Sequence, residues 1–401
     1  MKTALGGLAI LGAEPAFKEP LHVGRPNIGN RERLHGRIHS MLDTRWLSNG
    51  GPFVQEFEER VAEFVGVKHC IPICNATVAL EIAIRALALS GEVIVPAFTF
   101  VATAHALQWQ QITPVFCDID QATHNIDPRK IEQLITPRTT GILAVHLWGR
   151  PCEIDRLQAI ADRHNLKLLF DAAHAFGCSH RNQKIGGFGN AEVLSFHATK
   201  FVNAGEGGAV VTNDDALAAR IRLMKNFGFS DYDTVTYIGT NGKMSELSAA
   251  MGLTNLESLE EFIRVNRVNF ETYRNYLDGI RGLSLLLYDD QTSPNYHYVV
   301  AEINAAEMGL TRDQLLSVLQ AENVLARRYF YPGVHRMEPY RSLFPDARSL
   351  LPETEAVAGR VLVLPTGTAV IPADIEKICA IIRSAPEHSS EISAILAKNT
   401  R

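Results

Sequence analysis

The segment Leu168-Leu169-Phe170-Asp171-Ala172-Ala173-His174-Ala175-Phe176-Gly177 decides how this chain folds. An apolar run of strand length ends in a carboxylate, then passes into small residues and a histidine. Strands that are apolar on every residue are those buried on both faces, as in parallel sheets covered by helices. Working outward, similar runs rich in Val, Ile, Leu and Phe recur at residues 92–96, 114–119, 141–147, 166–171, 192–197 and 208–212. Helix-period stretches lie between several of them, at 79–89, 100–109, 128–135 and 153–164. The alternation predicts an α/β layer with a large, mostly parallel central sheet. In such sheets the ligand lies beyond the C-terminal ends of the strands, so the polar residues there are read first.

The rest of the chain predicts a smaller α+β domain. A helical pattern without proline runs over 245–278 and bridges to it; a strand at 297–303, a helix at 312–321, a strand at 360–364 and a helix after Pro372 follow. The expected division is 1–256 for the large domain and 257–401 for the small one, with the polar tail after Pro386 fraying. Charge is nearly balanced, 39 Lys and Arg against 44 Asp and Glu, and no basic run stands out. That argues against a nucleic-acid or membrane-surface binder, so any phosphate must be held by a local pocket. The six cysteines form no C-x-x-C pair and read as small reduced hydrophobes. Residues 1–13 are too short for a membrane span, and the expectation is a soluble, cytoplasmic protein. No metal is expected.

Two strand ends carry chemistry. Asp171 ends one run, and Lys200 closes Ser195-Phe196-His197-Ala198-Thr199-Lys200 after another, so both can reach one cleft. Burial there lowers a lysine's pKa from about 10.4 and frees its amine as a nucleophile. An aspartate can keep a heteroaromatic nitrogen protonated. That pair is what pyridoxal phosphate (PLP) chemistry needs, although strand-end aspartates and solvated lysines also occur without it. A second signal is Cys74-Asn75-Ala76-Thr77 ahead of a helical run: free amides and a hydroxyl at a helix start make an anion site, or Asn75 or Thr77 is only an N-cap. Gly186-Gly187-Phe188-Gly189 opens no clear helix and does not read as a dinucleotide turn.

In order along the chain, WLSNGGPFVQEF (46–57), NATVAL (75–80), EVIVPAFTF (92–100), FCDID (116–120), DAAHAFG (171–177), SFHATK (195–200) and EGG (206–208) resemble the DegT-type (DegT/DnrJ/StrS) nucleotide-sugar aminotransferases. The resemblance implies the fold type I, aspartate-aminotransferase-like architecture and PLP as cofactor, cycling through pyridoxamine phosphate. It implies that Lys200 forms the internal aldimine and shuttles the proton, and that Asp171 pairs with the pyridine nitrogen. It further implies that Phe100 stacks on the ring, that Ala76, Thr77 and Ser195 cradle the phosphate, and that His174 bonds the ring hydroxyl. Asn241 is similar to an asparagine that reaches the neighbouring subunit's phosphate, which implies a homodimer. Tyr331 and His335 resemble sugar or nucleotide contacts, and Arg327 and Arg328 are candidates for the diphosphate. His197 reads as a packed, hydrogen-bonded histidine.

Three positions depart from the family pattern: Ala76 for glycine, His174 for glutamine and Lys243 for arginine. The segments resemble most the enzymes that aminate C4 of dTDP-4-keto-6-deoxyglucose with L-glutamate as donor, in deoxyaminosugar biosynthesis and natural-product glycosylation. Amination at C3 of a 3-keto sugar is the alternative. A PLP-binding regulatory protein and a dinucleotide-dependent oxidoreductase are readings from other classes.

Overall fold

Seven strands form one sheet in the computed structural model, which describes residues 7–289 and 292–399. In chain order they are β1 (His69–Ile73), β2 (Glu92–Pro96), β3 (Thr113–Cys117), β4 (Thr139–Val145), β5 (Lys167–Asp171), β6 (Ala191–Ser195) and β7 (Gly208–Thr212). Their spatial order is β1-β7-β6-β5-β4-β2-β3. Only β7 runs antiparallel to its neighbours. The mostly parallel sheet read from the alternation is therefore present. β1 escaped that reading because Pro72, which has no N–H for a ladder, interrupts its short apolar run; such strands belong at an edge, and β1 is one.

The deciding segment shows why both faces must be covered. Leu168 and Phe170 enter one core with Phe57 and Phe196, whereas Leu169 enters the opposite core with Leu80, Leu143 and Val193. Helices α1 (Arg31–Thr44), α2 (Pro52–Val65), α3 (Ala76–Ala86), α4 (Ala102–Gln108), α5 (Ile154–Arg163) and α6 (Asp215–Met224) accompany the sheet.

Three expectations need correction. The stretch 128–135 is two short 3-10 turns, Pro128–Lys130 and Glu132–Leu134, because it is pinned by Asp127 at one end and reaches Pro137 too soon to propagate a helix. The pattern 245–278 is two helices, α7 (Glu246–Leu256) and α8 (Leu259–Leu277). The break lies at Glu257, whose carboxylate takes Arg33, Arg37 and Arg60; burial opposes its ionisation, yet the three guanidiniums hold its pKa down to about 2. The described part of the tail after Pro386 does not fray: Ser389–Asn399 is helical, and Ile392 is buried in the second core.

α8 begins in the large core with Leu259 and Phe262 and ends in the second with Phe270, Tyr273 and Leu277. Around that second core lie the antiparallel strands β8 (Leu283–Leu285), β9 (Val299–Ile303) and β10 (Val361–Leu364), with α9 (Arg312–Ala321) and α11 (Pro372–Ser384), while α10 (Pro352–Arg360) packs Val357 and Ala358 into a separate cluster with Trp148 and Phe330. The N-terminal residues join it as well. Leu8, Phe17 and Leu21 are part of that core, and Glu322 accepts the Ala9 and Ala16 amides at 2.7 Å. Among the described residues no helix is long and apolar enough to cross a membrane.

Candidate active site

The site lies beyond the C-terminal ends of β5 and β6. Asp171, the last residue of β5, is buried; its Oδ2 accepts from the Thr103 hydroxyl at 2.9 Å and its Oδ1 from the Ala173 amide at 3.1 Å. Thr103 is itself set by Thr99, 3.0 Å away. Burial raises the Asp171 pKa, against the two hydrogen bonds and the attraction of Lys200. Lys200 ends the turn after β6, where its amide donates to the His197 carbonyl at 2.8 Å. Burial lowers its pKa to about 8, with Asp171 pulling the other way. The structure thus brings together the two groups that the sequence placed at separate strand ends.

His174 completes this end. Its Nδ1 accepts the Trp148 backbone N–H at 3.3 Å, so the ring proton is on Nε2 and the side chain presents a donor. Burial, with the positive charge of Lys200 and the neighbouring His297, drives its pKa well down and keeps the imidazole neutral. Phe100 lies between β2 and α4, with 58% of its surface exposed. Its ring is 6.4 Å from Phe330, which stacks on Trp148 at 5.4 Å. Tyr298 packs at 4.5 Å from His174. Aromatic rings therefore wall the space around the lysine.

The start of α3 offers backbone donors. Asn75 caps α3 by accepting the Val78 amide at 2.9 Å, leaving the Ala76 and Thr77 amides at the helix mouth with no bond inside the helix. Ala76 keeps negative φ, so its methyl costs nothing there. Gly208 opens β7 directly beneath: a Cβ on it would lie 2.6 Å from the Ala76 nitrogen. Ser195 faces Gly208 across the ladder and is buried.

Other expected residues fall elsewhere. Asn241 is exposed; it bridges to Asn226, and the Gly242 carbonyl accepts the Cys74 amide at 2.7 Å, so the segment runs beside the α3 mouth. Lys243 donates to Asn226 and covers the Phe227 ring. Tyr331 is 40% exposed and sandwiched between the Arg312 and Arg328 guanidiniums. His335 is not at the surface: it is 2% exposed and its Nε2 pairs with Glu355 at 2.8 Å. His197 pairs with Thr199 and Glu206 in the lysine turn. Arg328 pairs with Asp313, and Arg327 lies over Tyr329. Thr103 and Trp148 were missed. Thr99, in the turn after β2, and Thr103, four residues on in the first turn of α4, were the available signal for the first.

A desolvated lysine beside a buried aspartate at the strand ends, next to the unbonded amides that open α3, is the arrangement of a transferase of the aspartate-aminotransferase-like α/β class. The chain belongs to the DegT/DnrJ/EryC1/StrS aminotransferase family, which it matches over residues 29–383. It is an enzyme of that family, an aminotransferase. The dTDP-4-amino-4,6-dideoxy-D-glucose transaminase of Escherichia coli is 39% identical over 363 residues, 90% of this chain and 97% of that protein. The GDP-perosamine synthase of Caulobacter vibrioides is 34% identical over 366 residues, 90% of this chain and 97% of that protein. Among solved structures, DesI in the presence of its TDP-sugar product is 50% identical with a TM-score of 0.92, covering 98% of this chain and 99% of that one.

Proposed function

We propose that this aminotransferase uses PLP to move an amino group from L-glutamate to C4 of dTDP-4-keto-6-deoxyglucose, giving dTDP-4-amino-4,6-dideoxyglucose. The observation that carries the reading is the desolvated Lys200 beside the buried Asp171, near the Ala76–Thr77 helix start, in a chain half identical to an enzyme crystallised with its TDP-sugar product. The residues fit the cofactor. A desolvated carboxylate held by two neutral donors takes a cationic ring nitrogen as its partner, and the close approach of Gly208 to the Ala76 amide clears room for a phosphate.

When bound, PLP supplies an electron sink and a carrier for the amino group. Lys200, its pKa lowered to about 8, would offer a free amine to anchor the cofactor and, once displaced by the donor amine, would move the proton between the substrate carbon and the cofactor. Asp171, steadied by Thr103, keeps the ring nitrogen protonated. His174 donates from Nε2 to the ring oxygen, and Phe100 packs on the ring face. The Ala76 and Thr77 amides and the Thr77 and Ser195 hydroxyls hold the phosphate. Arg327, Arg328 and Tyr331 form the rim at which the diphosphate and base of the sugar nucleotide are met.

The partner is a second copy of the chain. The support is an exposed apolar hairpin leading to Asn241, with Phe227, Phe229, Tyr232, Val235 and Ile238 on its surface. In the assembled pair Asn241 reaches the partner's phosphate. Six free cysteines, five of them buried, suit the reducing cytoplasm. The test is incubation with dTDP-4-keto-6-deoxyglucose and L-glutamate, with NMR of the product and ultracentrifugation of the holoenzyme. A 4-amino product from a dimer is expected. Turnover of only the 3-keto isomer, or of only a GDP-linked keto sugar, overturns the substrate assignment.

A further inference from the structure

Trp148 has φ +60°, ψ 14°, a left-handed conformation that a bulky aromatic residue adopts only when its surroundings hold it there. It is fully buried. Two consecutive residues of the loop after β3 do the holding. Asn125 brackets the turn: its Oδ1 accepts the Leu147 amide at 3.0 Å, and its Nδ2 donates to the Arg150 and Pro151 carbonyls at 3.1 Å. His124 takes the side chain: its Nδ1 accepts the Trp148 indole N–H at 3.1 Å.

The indole is a donor only, so His124 must carry its own proton on Nε2. That proton points at Glu302 Oε1, 3.1 Å away, and the other Glu302 oxygen is bound by Arg360. His124 has no exposed surface. Glu302 lies on β9 and Arg360 ends α10, both in the C-terminal part of the chain. Trp148 therefore donates at both ends: its indole to His124, which donates on to the Glu302–Arg360 ion pair of the small domain, and its backbone N–H to His174 Nδ1. Both histidines are held as Nε2–H tautomers by Trp148, and His124 acts on His174 only through the position of that residue.

We propose that His124 is a positioning residue: by holding Trp148 in its left-handed turn it locks His174 as an Nε2–H donor toward the ring oxygen of the cofactor. The proposal rests on the PLP reading above. It makes the histidine at position 174 depend on the histidine at position 124. An imidazole has two tautomers, of which only one donates into the site, whereas a glutamine side chain always offers a donor.

The test is a double-mutant cycle on PLP-loaded enzyme, read by absorbance and by the dissociation constant for PLP. In H124L the lysine-bound cofactor should still form, its long-wavelength band should lose intensity to the near-ultraviolet form, and PLP should bind roughly three- to tenfold more weakly. H124Q, which keeps an acceptor and a donor, should recover most of both. In the H174Q background the H124L substitution should shift neither reading further. If H124L does not fold, W148F, which removes the indole N–H together with part of the ring, is carried through the same cycle. An unchanged spectrum and affinity in H124L or W148F, or equal shifts in the parent and H174Q backgrounds, overturns the proposal. Parent enzyme that takes up no PLP sinks the cofactor reading instead, and the two failures are distinct.

Discussion

Two buried aspartates stand at the ends of strands in the same sheet, and they have opposite fates. Asp118 follows β3, and its carboxylate receives the Lys130 ammonium at 2.9 Å, the Thr354 amide and hydroxyl at 2.8 Å each, and the Glu353 amide at 3.1 Å. Burial disfavours its charge, but those donors outweigh burial and hold its pKa below the ordinary carboxylate value. Asp171 ends β5 with two neutral donors and no cation at bonding distance, and its pKa is raised. Similar residues in similar positions thus divide by their partners. The fully paired carboxylate fastens the start of α10 to the sheet, and the underpaired one is left with charge to spend on a ligand.

The sharpest way to break the comparison is through the group that faces Asp171. Lys200→Ala should abolish the yellow colour of the holoenzyme and lower kcat on the order of 10⁴-fold. In cofactor-free parent enzyme, the rate of PLP uptake should climb with pH and level off above about 8, as the Lys200 amine loses its proton; stopped-flow absorbance measures it.

Next come the two aspartates themselves. Asp171→Asn should cost on the order of 10²- to 10³-fold in kcat. The sign of its stability effect is the telling part. A raised folded pKa means that ionised Asp171 costs stability above the ordinary value near 3.9, so cofactor-free D171N should melt higher than the parent by roughly 2 °C. Asp118 runs the other way. Its lowered pKa contributes stability that is present above about 3.9 and lost as pH falls through the folded value, so Asp118→Asn should destabilise by about 2–3 kcal/mol and flatten the acid limb of the stability profile. Activity per folded molecule should hardly change. Urea titrations of both variants between acid and neutral pH decide the matter; equal and same-signed effects would erase the distinction.

Smaller effects sharpen it. Thr103→Val keeps the shape and removes one of the two donors to Asp171, which should lower kcat roughly tenfold and weaken PLP binding without a large change in the KM for glutamate. His174→Gln, which retains a donor at the ring oxygen, should stay within roughly threefold of the parent in steady-state assays.

Much of this site was legible because its parts are local in the chain. Asp171 and Lys200 each follow an apolar run, and the Ala76–Thr77 amides open a helix; strand, turn and helix start are short-range features that sequence patterns report. Thr103, His124 and Trp148 were not legible, because they act only where the loops after β2, β3 and β4 converge on the end of β5, and strand order carries no local signal. The burial of His335 was not legible for the same reason. Its motif lies in a substrate-loop-like segment, but Glu355, from α10, takes the ring into the interior.

By itself, the sequence determined that a lysine and an aspartate stand at the ends of buried strands in an α/β sheet and can reach one cleft, since alternating buried strands bring those ends to one side. Only the tertiary structure decided which aspartate would be neutralised by Lys130 and the start of α10, 235 and 236 residues away at Glu353 and Thr354, and which would be left for chemistry. The physical reason is that a buried charge takes its character from the donors around it, and those come from parts of the chain whose distance along the sequence says nothing of their distance in space.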